Sequence, residues 1–346
     1  MNTNQSSQVV QSKKKPMQSI GQFVTNNAIM LCLIVMVLVI ICIEPNFASL
    51  RVLRNVAEQN STKLIMACGM AFVLIVGGVD LSAGRVMGFA AVITASLGQT
   101  IEYTRLFYPN MGQLPFFVPL LAAMAVGALF GAFNGFIISR FKITAFIVTL
   151  GTQVIAWGVN LLYFDIEPNS SQPIGGVQQS ITNLGSGLIA NNIPIVLLIA
   201  IAVCLLCWFI LSKTRFGRNT YAIGGNAEAA LVSGIRVQRV QIGVYALAGV
   251  LYGLAGFLEC ARTGGATSAY GLNYEFDAIS ACVVGGVSNT GGIGTVPGMI
   301  LGVLVFGIIN YGLTFIGVNP YWQQIIKGII IIAAVGVDMS KNRKRK

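Results

Sequence analysis

The chain has 346 residues, 55% of them hydrophobic and only 10% charged, with a formal net charge of +11 and a mean hydropathy of +0.76. Soluble domains carry about 25% charged residues, so this composition excludes a single water-soluble core and predicts an all-α, polytopic membrane protein. Histidine is absent, which removes the commonest general base, proton relay and zinc ligand together.

Residues 1–27 form a polar leader with Lys13-Lys14-Lys15. It does not read as a signal peptide, because the apolar run behind it is too long and lacks a small-residue cleavage site. A first span is predicted over about Ala28–Ile43, ended by Glu44-Pro45-Asn46. Arg51, Arg54, Glu58 and Lys63 mark an amphipathic segment on the outer side, ahead of a second span over Leu64–Val76. The loop Gly77–Gly84 leads to a short third span over Val86–Leu97. After the polar stretch 100–113 come a fourth span (Phe116–Ile138), the basic turn Ser139-Arg140-Phe141-Lys142 and a fifth span (Thr144–Phe164). Asp165–Asn192, rich in Ser, Asn, Gln, Pro and Gly, reads as a loop capping the outer face, followed by a sixth span over Ile193–Leu211.

Ser212–Arg239 is the one long polar, basic interval between two apolar halves. Gly224-Gly225-Asn226 breaks regular structure there. Asn226 is placed to cap a short helix with Glu228 near its positive end, Ala229 and Ala230 in its body and Gly234 at its stop. A seventh span is predicted over Ile242–Cys260. Phe276–Val287 is too short to cross a bilayer and suggests a half-helix. A ninth span (Val296–Thr314), a tenth (Tyr321–Val337) and a basic tail (339–346) complete a permease-like domain over 28–338. With both ends inside, ten crossings put sixteen Lys/Arg and three Asp/Glu on inner segments, against six and eight on outer ones. Those are net +13 and −2, which add to the whole-chain +11. The basic excess therefore sets orientation, and nucleic-acid binding is not expected. Two loops look alike, Gly77-Gly78-Val79-x-x-x-Ala83-Gly84 and Gly285-Gly286-Val287-x-x-x-Gly291-Gly292, through either an internal repeat or coincidence.

Glu228-Ala229-Ala230-x-x-x-Gly234 resembles the EAA loop of ABC import permeases, the helix that fits a groove on the ATPase subunit. The runs Gly78-Val79-Asp80-Leu81-Ser82-Ala83-Gly84, Thr214-Arg215-Phe216-Gly217, Ala222-Ile223-Gly224-Gly225-Asn226 and Val283-Val284-Gly285-Gly286-Val287 narrow the likeness. Together they are similar to the sugar permeases of the ribose, xylose and galactose branch, from about Ala28 to Asp338. Ile309-Asn310-Tyr311-Gly312-Leu313-Thr314 and Gly317-Val318-Asn319-Pro320-Tyr321-Trp322 resemble most the members carrying galactose and methyl galactosides.

The resemblance implies a type II-like importer permease with about ten spans and an exposed cytoplasmic coupling helix in the inner membrane. Its implied partners are a second permease copy, an ATPase subunit holding ATP and Mg, and a soluble sugar-binding protein. The chain has no G-x-x-x-x-G-K-[ST] loop, so it is expected to bind no cofactor and catalyse nothing itself. ATPase coupling falls on Gly224, Gly225, Asn226, Glu228, Ala229, Ala230 and Gly234. Arg51 and Arg54 are candidate docking charges for the binding protein, or merely solvated. Asn134, Thr149, Gln153 and Asn310 are uncharged hydrogen-bonding residues within spans, open to roles as path contacts or helix-to-helix contacts. Asp80, beside Ser82 and Arg85, reads as a gate or as a helix cap with a local ion pair. An ion-coupled sugar transporter is the competing class, but the central spans hold almost no carboxylates and no histidine. Ribose, xylose or another small sugar remains open as cargo.

Overall fold

The computed structural model describes residues 28–343; the leader 1–27 and the last three residues of the basic tail lie outside the described residues. Apart from loops and one hairpin of two-residue strands, Leu188–Ile189 (β1) and Ile193–Pro194 (β2), the described chain is helical. Helix α1 is Ala28–Ile43, followed by a 3-10 turn at Pro45–Ala48. Ser49 then accepts a hydrogen bond from the Val52 amide at 3.4 Å and starts α2, Leu50–Ile75. The amphipathic segment and the second predicted span are thus one helix of 26 residues. Helices α3 (Ala83–Leu97), α4 (Phe117–Phe141) and α5 (Ala145–Phe164) follow the predicted third to fifth spans. The expected outer-face loop contains a further helix, α6 (Gln179–Ser186), before α7 (Ile195–Lys213). The polar interval folds as α8 (Arg215–Gly225) and α9 (Ala227–Val232). Then come α10 (Val237–Thr263), the short α11 (Tyr274–Val284), α12 (Val296–Phe315) and α13 (Pro320–Arg343), which carries part of the basic tail as helix.

Five of these helices, α4, α5, α7, α10 and α12, are long and apolar enough to cross a membrane. The two central ones are α2 and α10. Every residue from Asn60 to Val76 except Lys63 is buried. Helices α4 and α10 meet backbone to backbone: a Cβ on Gly127 would stand 2.0 Å from the Gly249 carbonyl oxygen, one on Gly249 2.0 Å from that of Gly127, and one on Gly131 2.1 Å from that of Tyr245. Such small-residue faces are how helices associate where water supplies no hydrophobic drive. The outward faces of α4, α5 and α7 are apolar instead, with Leu129 at 70% and Leu162 at 75% exposure.

The two similar glycine loops share a helix-ending turn, in a register shifted by one residue from the sequence alignment. Gly77 (φ +88°) and Gly286 (φ +84°) take the left-handed position. Their amides donate to Leu74 and Val283, and the next amides to Val73 and Cys282, all at 2.9 Å. Gly234 and Gly317 end α9 and α12 in the same way. The likeness therefore reports a common helix-ending cap.

Candidate functional site

The most distinctive surface is the α8–α9 elbow. Thr214 accepts from the Gly217 amide at 3.2 Å to open α8, whose Gly217, Thr220 and Ile223 are buried. Tyr221 donates its hydroxyl to the Gly294 carbonyl at 2.7 Å. Burial raises the Tyr221 pKa, which keeps the phenol a donor. At the end of α8, Gly224 lies against the last turn of α2: a Cβ there would come within 1.8 Å of the Ile75 carbonyl oxygen and 2.5 Å of the Gly292 nitrogen. The Gly292 amide donates to that same Ile75 carbonyl at 2.9 Å. Gly77 and Gly291 (φ +88° and +89°) complete the junction, where α8, the end of α2 and the loop after α11 meet main chain to main chain.

Beyond this junction Asn226 turns extended (φ −161°, ψ 107°), and its Oδ1 accepts from the Ala229 amide at 2.9 Å, starting α9 as the sequence predicts. Glu228 sits exposed in the first turn. Gly234 (φ +85°) closes the helix, with its amide donating to Leu231 and the Ile235 amide to Ala230. Ala230 anchors α9 at 4% exposure, while Leu231 and Val232 project at 63% and 89%. Sequence reasoning stopped at Ala229 and Ala230. The apolar pair that follows is the larger feature of the surface, and its signal was the run of two branched side chains inside an otherwise polar interval.

The candidate gate and path residues, except Gln153 and Asn310, form a buried polar seam between the start of α3, α4 and α5. Asp80 Oδ1 accepts from the Ser82 amide at 2.9 Å and from its hydroxyl at 2.6 Å. Asn134 donates to Ser82 Oγ at 3.0 Å and accepts from Thr152 at 2.6 Å. Thr149 accepts from the Leu81 amide at 3.1 Å and donates to the Ala145 carbonyl at 2.8 Å. Gln153 reaches across to Glu275 Oε1 on α11 at 3.1 Å, leaving Glu275 Oε2 buried without a partner. Two local expectations fail. Asp80 does not cap the first-turn amides of α3; its Oδ1 is taken by the amide and hydroxyl of Ser82, the residue just before the helix. Arg85 forms no ion pair with Asp80; its guanidinium lies 5.1 Å from the centroid of the Trp157 ring. Thr152, which sequence reasoning missed, closes the seam, three residues from Thr149 and therefore on the same face of α5.

At the far end from α9, Thr62 donates to Glu259 at 2.8 Å, and Arg262 pairs with Glu259 at 2.6 Å. Arg51 is exposed and Arg54 half-buried on the first turns of α2, beside Leu50 and Leu53 at 66% exposure each. Asn310 stands apart from the seam on α12, with both amide atoms buried and unpartnered.

A protein family described as the permease component of branched-chain amino acid transport systems matches residues 52–335. The chain is 47% identical over 323 residues to a galactose/methyl galactoside import permease protein of Haemophilus influenzae, covering 92% of this chain and 96% of that one. A protein of the same description from Escherichia coli is 44% identical over 330 residues, covering 94% and 97%. A ribose import permease protein of Escherichia coli is 36% identical over 314 residues, covering 90% and 93%. No solved structure matches the chain.

Proposed function

The chain belongs to the family of transport-system permease components, and on that premise we propose that it is the membrane-spanning subunit of an ATP-driven ABC importer for galactose or methyl galactosides. The observation that carries the cargo is the gradient of identity, 47% and 44% to galactose permeases against 36% to a ribose permease, each over at least 90% of the chain. In this reading the chain makes ten crossings of the bacterial inner membrane with both ends inside, pairs with a second copy, and receives sugar from a soluble binding protein that docks near Arg51 and Arg54. ATP and Mg sit on a separate ATPase subunit. Helix α9 occupies a groove of that subunit through Glu228, Leu231 and Val232.

The α8–α9 elbow suits a mechanical role. A push on α9 reaches α8 through one extended residue, Asn226. Helix α8 bears directly on the end of α2 and on the loop after α11 at the Gly224 junction, and the Tyr221 hydroxyl ties it to Gly294 of that loop. Small displacements there become helix movements because packed interfaces switch between arrangements rather than deform continuously.

The test is radiolabelled galactose uptake into proteoliposomes holding this protein, its ATPase and its binding protein. Uptake that requires internal ATP and the binding protein is the expected result, with ribose and xylose as competitors to check the cargo. Uptake driven by a proton gradient without ATP would overturn the reading.

A further inference from the structure

Lys63, the one residue of the Asn60–Val76 run that escapes burial, is not at the surface of the bundle. Its Nζ lies 3.5 Å from Asp277 Oδ2 on α11, and Lys327 of α13 approaches Asp277 Oδ1 at 3.1 Å. Lys63 sits twelve residues before the end of α2, about 18 Å along the helix axis, and Asn310 about 21 Å into α12. The cluster therefore lies inside the helical bundle, with Asn310 five residues from the end of α12 and Lys327 seven residues into α13. Ionisable groups there are costly and are kept where they face a water-filled cavity or a transport path.

Such a cavity is present. A polar chamber of about 160 Å³ is walled by Gln59 and Asn60 of α2, Asn310 and Thr314 of α12, and Gln323 of α13, with the two lysines at its edge. Beside it a narrower, apolar recess runs under Tyr274, Met66 and Phe306, sharing Lys63, Gly307 and Asn310 with the chamber, and Asp277 lines this recess. Asn310 is the decisive residue, since neither its oxygen nor its nitrogen has a partner although both are buried. A buried amide left unsatisfied is expensive, and a ligand that both donates and accepts hydrogen bonds would relieve it.

We propose that this chamber is a monosaccharide-handling station between α2, α12 and α13, with Asn310 as the residue that hydrogen-bonds adjacent sugar hydroxyls. The inference rests on the sugar-permease reading. Two cations against one carboxylate disfavour a metal cation in the chamber. Amides, a hydroxyl and an aromatic flank match a polyol that carries no charge. About 160 Å³ equals the liquid volume of roughly five waters, room that a compact sugar ring fills by displacing them. Asp277, paired with both lysines, ties α2 and α13 to α11 beside the chamber.

The test uses the assembled transporter with its ATPase and binding protein. Asn310→Leu, close to isosteric, is expected to cut galactose uptake roughly tenfold, the scale of one or two lost hydrogen bonds, while ATP hydrolysis stimulated by the binding protein stays within twofold. Gln59→Leu, on the facing wall, is expected to lower uptake several-fold with hydrolysis retained. Wild-type uptake by Asn310→Leu overturns the proposal. If Asn310→Leu fails to assemble, Gln59→Leu decides: reduced uptake with normal hydrolysis supports the station, and normal uptake overturns it. Absence of ATP-dependent sugar uptake in the wild type would instead overturn the functional reading, and with it the station that rests on that reading.

Discussion

Replacing Gly224 with Ala tests whether the elbow is fastened to the helix ends as tightly as the geometry requires. The added Cβ would stand 1.8 Å from the Ile75 carbonyl oxygen, about 1.6 Å short of ordinary 3.4 Å contact, and 2.5 Å from the Gly292 nitrogen. Both neighbours are backbone, so no side chain can swing aside. The end of α8 must retreat, and the hydrogen bond from Gly292 to Ile75 at 2.9 Å lengthens or breaks. Overpacking of this kind costs about 1–3 kcal/mol, and the lost bond about 1 kcal/mol more. Gly225→Ala is the built-in control, since a Cβ there meets nothing within 4 Å. The two adjacent substitutions share chemistry and helix position and differ only in what they face. Thermal unfolding in detergent, read beside galactose uptake per ATP hydrolysed, separates them. Gly224→Ala is expected to melt earlier and to hydrolyse ATP with less transport, whereas Gly225→Ala behaves as the parent. Equal melting and equal coupling for the two variants would refute the argument that main-chain contact at Gly224 carries the motion.

Glu228→Lys and Val232→Glu alter only exposed groups of α9, so both are expected to abolish co-purification of the ATPase while leaving the melting temperature of the isolated permease unchanged. Asn226→Ala removes the α9 cap at a cost of about 1 kcal/mol, whereas Asn226→Gly costs a few tenths; ATPase affinity should fall more for the first, as measured by titration of the purified subunits. Asn134→Leu leaves the buried Thr152 hydroxyl without its acceptor while Ser82 keeps Asp80, and Thr149→Val leaves the Leu81 amide without its acceptor; at about 1–3 kcal/mol per orphaned group the two should lower thermal stability by similar amounts.

Much of the fold was legible because apolar runs bounded by polar turns are the strongest signal a membrane helix gives. The cap at Asn226 was legible because capping depends on one side chain and the three residues after it. Helix α6 escaped notice since QSITNLGS is mostly polar, and what holds it is tertiary: Ile181 is fully buried, and a Cβ on Gly185 would meet the Arg262 backbone at 2.2 Å. Helix α8 was hidden by the glycines of RFGRNTYAIGG, which weaken helix propensity in isolation but allow the close approach to α2. The Lys63–Asp277–Lys327 cluster could not be read at all. Lys63 and Asp277 are brought together from opposite ends of the chain, and along the sequence Lys63 merely continued an amphipathic segment.

The glycine seam between α4 and α10 also restricts how the molecule can change shape. The carbonyls of Gly127 and Gly249 occupy the very space that a Cβ on the opposite helix would need, and Gly253 is keyed in the same manner to Ala123. The two helices are therefore meshed like teeth along this face, and a side chain at any of these positions has to push their backbones apart.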